Sequence, residues 1–262
     1  MFCVAALGLV SAIALVAAKL YSSRTESSDR GLAIPDTSGI PAPAPAAFTI
    51  PRPRRLTTPV GTTHWAPVLH ATSARAAPRG GARVLARVDA RTPEGTSNIV
   101  PVLERRADGA GGLWLRVRDP ALPTNREGWV PRAALGGYTL VRTRLVVDRA
   151  RFRATLYSSE KLIFEARIGV GTRNSPTPRG EFYVRSRLSS YRSPFYGPIA
   201  FGTSARSQVL TDWPAGGFIG IHGTNRPDLL PGRVSHGCIR MRNADILRLA
   251  RLMPVGTPLT IR

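Results

Sequence analysis

The 262-residue chain holds only two cysteines and two lysines, and both shortages narrow its chemistry. Cys3 lies in an apolar N-terminal run and Cys238 stands near the other end, so no CxxC pair exists for a metal or a dithiol. Four histidines without an HExxH pattern leave a zinc site short of ligands, so no metal and no cofactor is expected. The seven carboxylates beyond residue 138 (Asp148, Glu160, Glu165, Glu181, Asp212, Asp228 and Asp245) do not cluster as an acid/base pair. The glycines of GVGTRNSPTPRG are followed by neither a helix nor a Lys-Ser/Thr pair, so they read as a loop between strands and not as a phosphate cradle.

What the chain has in excess is arginine. Net charge is +21, nearly all of it from arginine, because Lys19 and Lys161 are the only lysines. An anionic partner such as nucleic acid, a membrane surface or an acidic wall polymer would suit that charge. Scattered arginines, as in RTRLVVDRARFRA, point instead to a compositional bias toward Arg and Ala, and no block of five or six like charges occurs. Nucleic acid is not the expected partner, since neither C2H2 spacing, a basic-region zipper nor an RNP aromatic pattern is present.

Residues 2–18, FCVAALGLVSAIALVAA, are uncharged and apolar, and residues 1–20 are read as a signal peptide or membrane anchor. That places the rest of the chain in the extracytoplasmic envelope, anchored or secreted, with membrane contact only through this segment. The charges that follow the run pull toward the opposite orientation. Residues 21–55, with IPAPAPAAFTIPRPRR, form a proline-rich linker that favours extended backbone.

Short apolar runs separated by turn-rich pieces fill residues 56–137, which read as a small all-β domain. Its segment GGLWLRVRDPALPTNREGWVPRAAL resembles the closing part of bacterial SH3-like domains. The resemblance makes Trp114 and Trp129 candidates for a groove that takes cell-wall polymer, with plain core packing as the alternative. His64 and His70 have no cysteine or acidic cluster beside them and read as surface or core residues.

Residues 138–262 open with alternating strands, Phe152, Ala154 and Leu156, then Leu162, Phe164, Ala166, Ile168 and Val170, with a turn at 158–161. GEFYVRS, FIGIH and TPLTIR add strands. One helix is expected, capped by Asn243, with Ile246, Leu249, Ala250 and Met253 inward and Pro254 ending it. The fold class is mainly β, a sandwich with one helix in its C-terminal region.

Cys238 stands in SHGCIRM, with His222 ending the FIGIH strand sixteen residues earlier and Arg240 two residues later. A thiol of ordinary pKa is a few per cent thiolate at neutral pH, and a histidine, a cation or a helix N-terminus favours the anion. Gly237 lets the backbone turn and leaves room beside the sulfur, while N–H groups around Cys238 suit an oxyanion hole. A buried structural cysteine would need none of these.

GFIGIHGTN, SHGCIRMRNADILRL and PTPRGEFYV together resemble the YkuD-type L,D-transpeptidases, over residues 138–262. The resemblance implies a peptidoglycan enzyme with Cys238 as nucleophile, His222 as base and the Gly223 carbonyl fixing the imidazole tautomer. It places Ser235, His236 and Arg240 along the site, and the N–H groups of Gly237 and Cys238 at the oxyanion. It implies attack on the diaminopimelate–D-Ala bond of a stem tetrapeptide, a thioester, and transfer to an amine in a 3→3 cross-link. L,D-carboxypeptidase action and protein attachment share that thioester, and a non-catalytic wall-binding protein is the rival from another class. Residues 187–217 are expected to form a lid and acceptor surface.

Overall fold

Strand-forming alternation dominates the chain, and the computed structural model describes residues 54–55, 62–120, 125–189, 194–209 and 217–262. The apolar run and the linker up to residue 53 lie outside the described residues. Among those described, no helix is long and apolar enough to cross a membrane.

The first sheet has eight strands: β1 (Arg54–Arg55), β2 (Thr63–Pro67), β3 (Thr72–Arg75), β4 (Val84–Val88), β5 (Ile99–Ala107), β6 (Leu113–Arg118), β7 (Glu127–Pro131) and β8 (Thr139–Val141). Their order is β4-β3-β7-β6-β5-β2-β8, with β1 also on β5. Thus the last two residues of the proline-rich segment already pair with a strand, Arg54 opposite Arg105 and Arg55 opposite Glu104. Ala66, Val100, Leu115, Val117 and Val130 form its core. Trp114 is buried and its indole N–H donates to Asp108 Oδ2 at 2.8 Å, so this ring pins a hairpin, whereas Trp129 is half-buried.

The second sheet has ten strands: β9 (Thr143–Asp148), β10 (Arg153–Ser158), β11 (Lys161–Arg167), β12 (Gly169–Gly171), β13 (Gly180–Leu188), β14 (Ala200–Arg206), β15 (Phe218–His222), β16 (Gly232–Ser235), β17 (Ile239–Arg240) and β18 (Pro258–Ile261). They run in the order β11-β10-β9-β18-β13-β14-β15-β17-β12-β16. A register shift between Val184 and Ser186 in β13 bends this path. Leu145, Leu156 and Phe164 from one end consequently share a core with Phe201, Ile221 and Ile239 from the other. The result is a β-sandwich. The described residues contain one α-helix, α1 (Asn243–Leu252), whose Ile246, Leu249 and Ala250 enter the same core.

Three sequence expectations need correction. Leu162 is 57% exposed: Leu156 pairs with Phe164 but Tyr157 with Leu162, and the extra residue Ile163 reverses the alternation. The stretch assigned to a lid contains β14, buried along six of its seven residues between β13 and β15. Helix α1 starts one residue earlier than expected, with Arg242 at its N-cap and Asn243 as its first helical residue.

Residues 48–262 form one compact unit. Buried Tyr183 donates from its hydroxyl to Ile99 O at 3.1 Å, and Arg185, with a 1% exposed side chain, holds Glu94 at 2.7 Å. The Trp65 indole lies against the α-carbon of Gly256, where a Cβ would overlap the ring, and Gly256 has φ +83°. Gly256→Ala combines overpacking with positive-φ strain, each roughly 1–3 kcal/mol. Urea unfolding is expected to show a loss of about 2 kcal/mol or more, and an unchanged midpoint would reject the contact.

Candidate active site

The site begins with two short parallel strands, β15 and β17, whose register places Ile221 beside Ile239 and His222 beside Arg240. Ile219 and Ile221 are almost fully buried in the core, which turns Gly220 and His222 to the other face of the strand. A Cβ on Gly220 would lie 3.8 Å from both Cys238 Sγ and His222 Cδ2. Bare backbone therefore forms the floor where thiol and imidazole come together, and the Gly220 N–H points to Cys238 Sγ at 3.4 Å. Sequence reading missed this role, although a glycine inside an otherwise apolar strand is the signal of a close approach.

His222 Nδ1 lies 2.6 Å from Gly223 O. A carbonyl can only accept, so Nδ1 carries the proton and Nε2 keeps its lone pair. The Gly223–Thr224 turn is held in turn by Asn243, whose Oδ1 accepts the Thr224 N–H at 2.9 Å. A Cβ on Gly223 would collide with that oxygen. Asn243, expected as a helix cap, thus acts as a brace two steps behind the imidazole.

The loop that carries Cys238 is held by hydroxyls. Ser235 Oγ donates to Cys238 O at 2.6 Å and accepts the Gly237 N–H at 3.1 Å. Of the two N–H groups expected at an oxyanion, Gly237's is accordingly engaged by Ser235. Gly237 has φ +122°, a conformation side chains avoid, and its α-carbon faces Ile219. His236 is exposed on the same loop.

Arg240 is 8% exposed, with its guanidinium 4.6 Å from the Phe195 ring centre and its Nε lacking a hydrogen-bond partner. Tyr196 meets the His222 ring edge-on at 4.8 Å. Both aromatics belong to the turn Pro194–Tyr196, inside the stretch whose residues the sequence left without roles.

Burial governs the electrostatics. It pushes the Cys238 thiol above its ordinary value, against the opposing pull of the Gly220 N–H and Arg240. Burial also lowers His222 to about 4, which the Gly223 bond resists and Arg240 reinforces. The neighbours expected to favour a thiolate do not outweigh desolvation, and the resting pair is neutral thiol and neutral imidazole. No group of three or more His, Cys, Asp or Glu suited to a metal occurs among the described residues.

Comparison with known proteins matches residues 142–261 to the model of the YkuD family, the L,D-transpeptidase catalytic domain. A protein of Bacillus licheniformis named as an L,D-transpeptidase, YkuD, is 39% identical over 106 residues, covering 40% of this chain and 57% of that protein. Its namesake in Bacillus subtilis is 37% identical over 107 residues, covering 41% and 58%. The chain therefore spans little more than half the length of these relatives. Among solved structures, Bd1075 of Bdellovibrio bacteriovorus is 28% identical, with coverage of 47% and 48% and a TM-score of 0.38. The catalytic domain of an Enterococcus faecium L,D-transpeptidase is 26% identical, with coverage of 46% and 96% and a TM-score of 0.35. Residues 142–261 of this chain thus match the YkuD family of L,D-transpeptidase catalytic domains, the family whose name the two Bacillus relatives carry.

Proposed function

We propose that this chain is a peptidoglycan acyltransferase that uses Cys238 as nucleophile and His222 as general base. The observation that carries the reading is the neutral imidazole, its tautomer fixed by Gly223 O, lying with Cys238 Sγ over the bare Gly220. His222 Nε2 takes the thiol proton as sulfur adds to the carbonyl carbon between diaminopimelate and the terminal D-Ala. The carbonyl electron pair moves to oxygen, where the Cys238 N–H is the candidate donor. Collapse restores the carbonyl and breaks the C–N bond, and His222 returns its proton to the departing D-Ala amine. An amine of a second stem peptide then attacks the thioester and loses its proton to His222, and the thiolate leaves and is reprotonated. The product is a 3→3 cross-link.

Arg240 fits a substrate carboxylate. It is nearly buried, stacked on Phe195, and its Nε has no hydrogen-bond partner, so an anion entering the site would complete its bonding. Ser235 acts by holding the loop, and His236 borders it from the exposed side. The SH3-like reading of residues 56–137, with wall polymer as its ligand, and export through the N-terminal run suit the same substrate.

The test is incubation of the pure protein with a disaccharide-tetrapeptide, with products read by mass. A cross-linked dimer with loss of D-Ala is expected. Trimmed tripeptide alone would favour the carboxypeptidase reading, and unchanged tetrapeptide would reject the proposal.

A further inference from the structure

We infer that Thr177 is a positioning residue that aims the Cys238 N–H at the oxyanion, an inference that rests on the acyl-transfer reading above. Thr177 is 1% exposed and lies in the loop GVGTRNSPTPRG, at the start of the PTPRGEFYV stretch that contributed to the family resemblance but gave this residue no role. Its hydroxyl donates to Gly237 O at 2.7 Å and accepts the Gly171 N–H at 2.8 Å. Both capacities of the hydroxyl are therefore used, and its rotation is fixed.

The consequence follows from peptide geometry. Gly237–Cys238 is a trans peptide, so its C=O and N–H point in opposite directions. Anchoring Gly237 O on Thr177 directs the Cys238 N–H away from that buried hydroxyl. Ser235 fixes the next peptide through Cys238 O and engages the Gly237 N–H, so the Cys238 N–H is the group left to serve a developing oxyanion on this loop.

Thr177 is itself held from several sides. Arg149 Nη1 donates to Thr177 O, and Thr172 N–H donates to Ser235 O at 2.9 Å. A Cβ on Gly171 would overlap Ser175 O and Thr177 N, so the two ends of GVGTRNSPTP pack backbone on backbone under the nucleophile loop. A donor held this rigidly needs no reorganisation when charge appears on the substrate oxygen, which is the condition for strong electrostatic stabilisation.

The test compares two reactions of the same sulfur in the full chain. Carbapenem acylation passes through a tetrahedral oxyanion. Iodoacetamide alkylation displaces iodide at a saturated carbon, forms no oxyanion and reports only thiol reactivity. Thr177→Val removes the hydroxyl at nearly constant volume and is expected to slow acylation by ~10²-fold, the scale of losing one oxyanion donor. Alkylation is expected to stay within about twofold of wild type. Thr177→Ser, which restores the hydroxyl, should recover most of the acylation rate, and Thr177→Ala serves the same comparison if the valine variant does not fold.

Unchanged acylation in the hydroxyl-less variant would overturn the inference. So would equal losses in both reactions, because Thr177 would then merely hold the loop together. Wild-type protein that alkylates at Cys238 but forms no carbapenem adduct would instead bring down the acyl-transfer reading, and this inference with it.

Discussion

Cys238→Ala is expected to leave the intact mass of the protein unchanged after carbapenem treatment, while the wild type gains one adduct on Cys238. Sulfur is the atom proposed to open the lactam, and the neighbouring hydroxyls of Ser235 and Thr177 do not replace it, because they already donate to Cys238 O and Gly237 O. Loss of a nucleophile in a coupled site typically costs on the order of 10⁶ in turnover, so cross-linking should fall below detection as well. The substitution removes a half-buried sulfur that receives one long N–H contact from Gly220, and circular dichroism should therefore report an intact fold. A Cys3→Ala variant must keep the adduct. Loss of the adduct there, or an adduct on Cys238→Ala, would remove Cys238 from the mechanism.

The β character of the chain and its one described helix were readable because their signals are local. Alternation placed Ala154, Leu156, Phe164 and Ala166 inward, and the spacing of Ile246, Leu249 and Ala250 marked the helix face. The turn at 158–161 also forms, with Ser159 and Glu160 both at positive φ. A bulge has no such signature, so Ile163 silently turned Leu162 outward. β14 was hidden because AFGTSAR has a glycine and small polar residues in place of alternating large ones, and buried strands of that kind are recognised by their partners.

In the site, SHGCIRM and FIGIH singled out the two side chains that lie together beside Gly220, but not what holds them. Thr177 lies sixty residues before the carbonyl it anchors, and Asn243 nineteen residues after the turn it braces. Contacts at such separations depend on the completed sandwich, and in a single sequence they look like loop and cap residues. The sign of the thiol's shift was likewise invisible. Proximity of Arg240 could be guessed from SHGCIRM, whereas the desolvation that outweighs it comes from packing.

Replacing His222 is expected to have the second-largest effect. His222→Gln should slow carbapenem acylation at pH 7 by ~10²-fold or more, the usual scale for loss of a general base. Its pH dependence separates base catalysis from mere packing. In the wild type, His222 is held at about 4, so it is neutral and competent across the whole neutral range, and acylation should be nearly flat there and fall as pH drops through about 4. In the variant only free thiolate reacts, and burial raises that thiol above 9.0, so its rate should climb roughly tenfold per pH unit toward that value. The two rates converge at high pH. A wild-type rate that climbs with the same slope would show that His222 takes no proton. The same ring carries a stability signature: the unfolded chain protonates it near 6.5, the folded one only near 4. Between those values the unfolded state binds more protons, so the contribution is present above 6.5 and is lost as pH falls toward 4, by up to about 3 kcal/mol. His222→Gln should lack that part of the acid sensitivity, which urea unfolding at pH 7 and pH 4.5 would reveal.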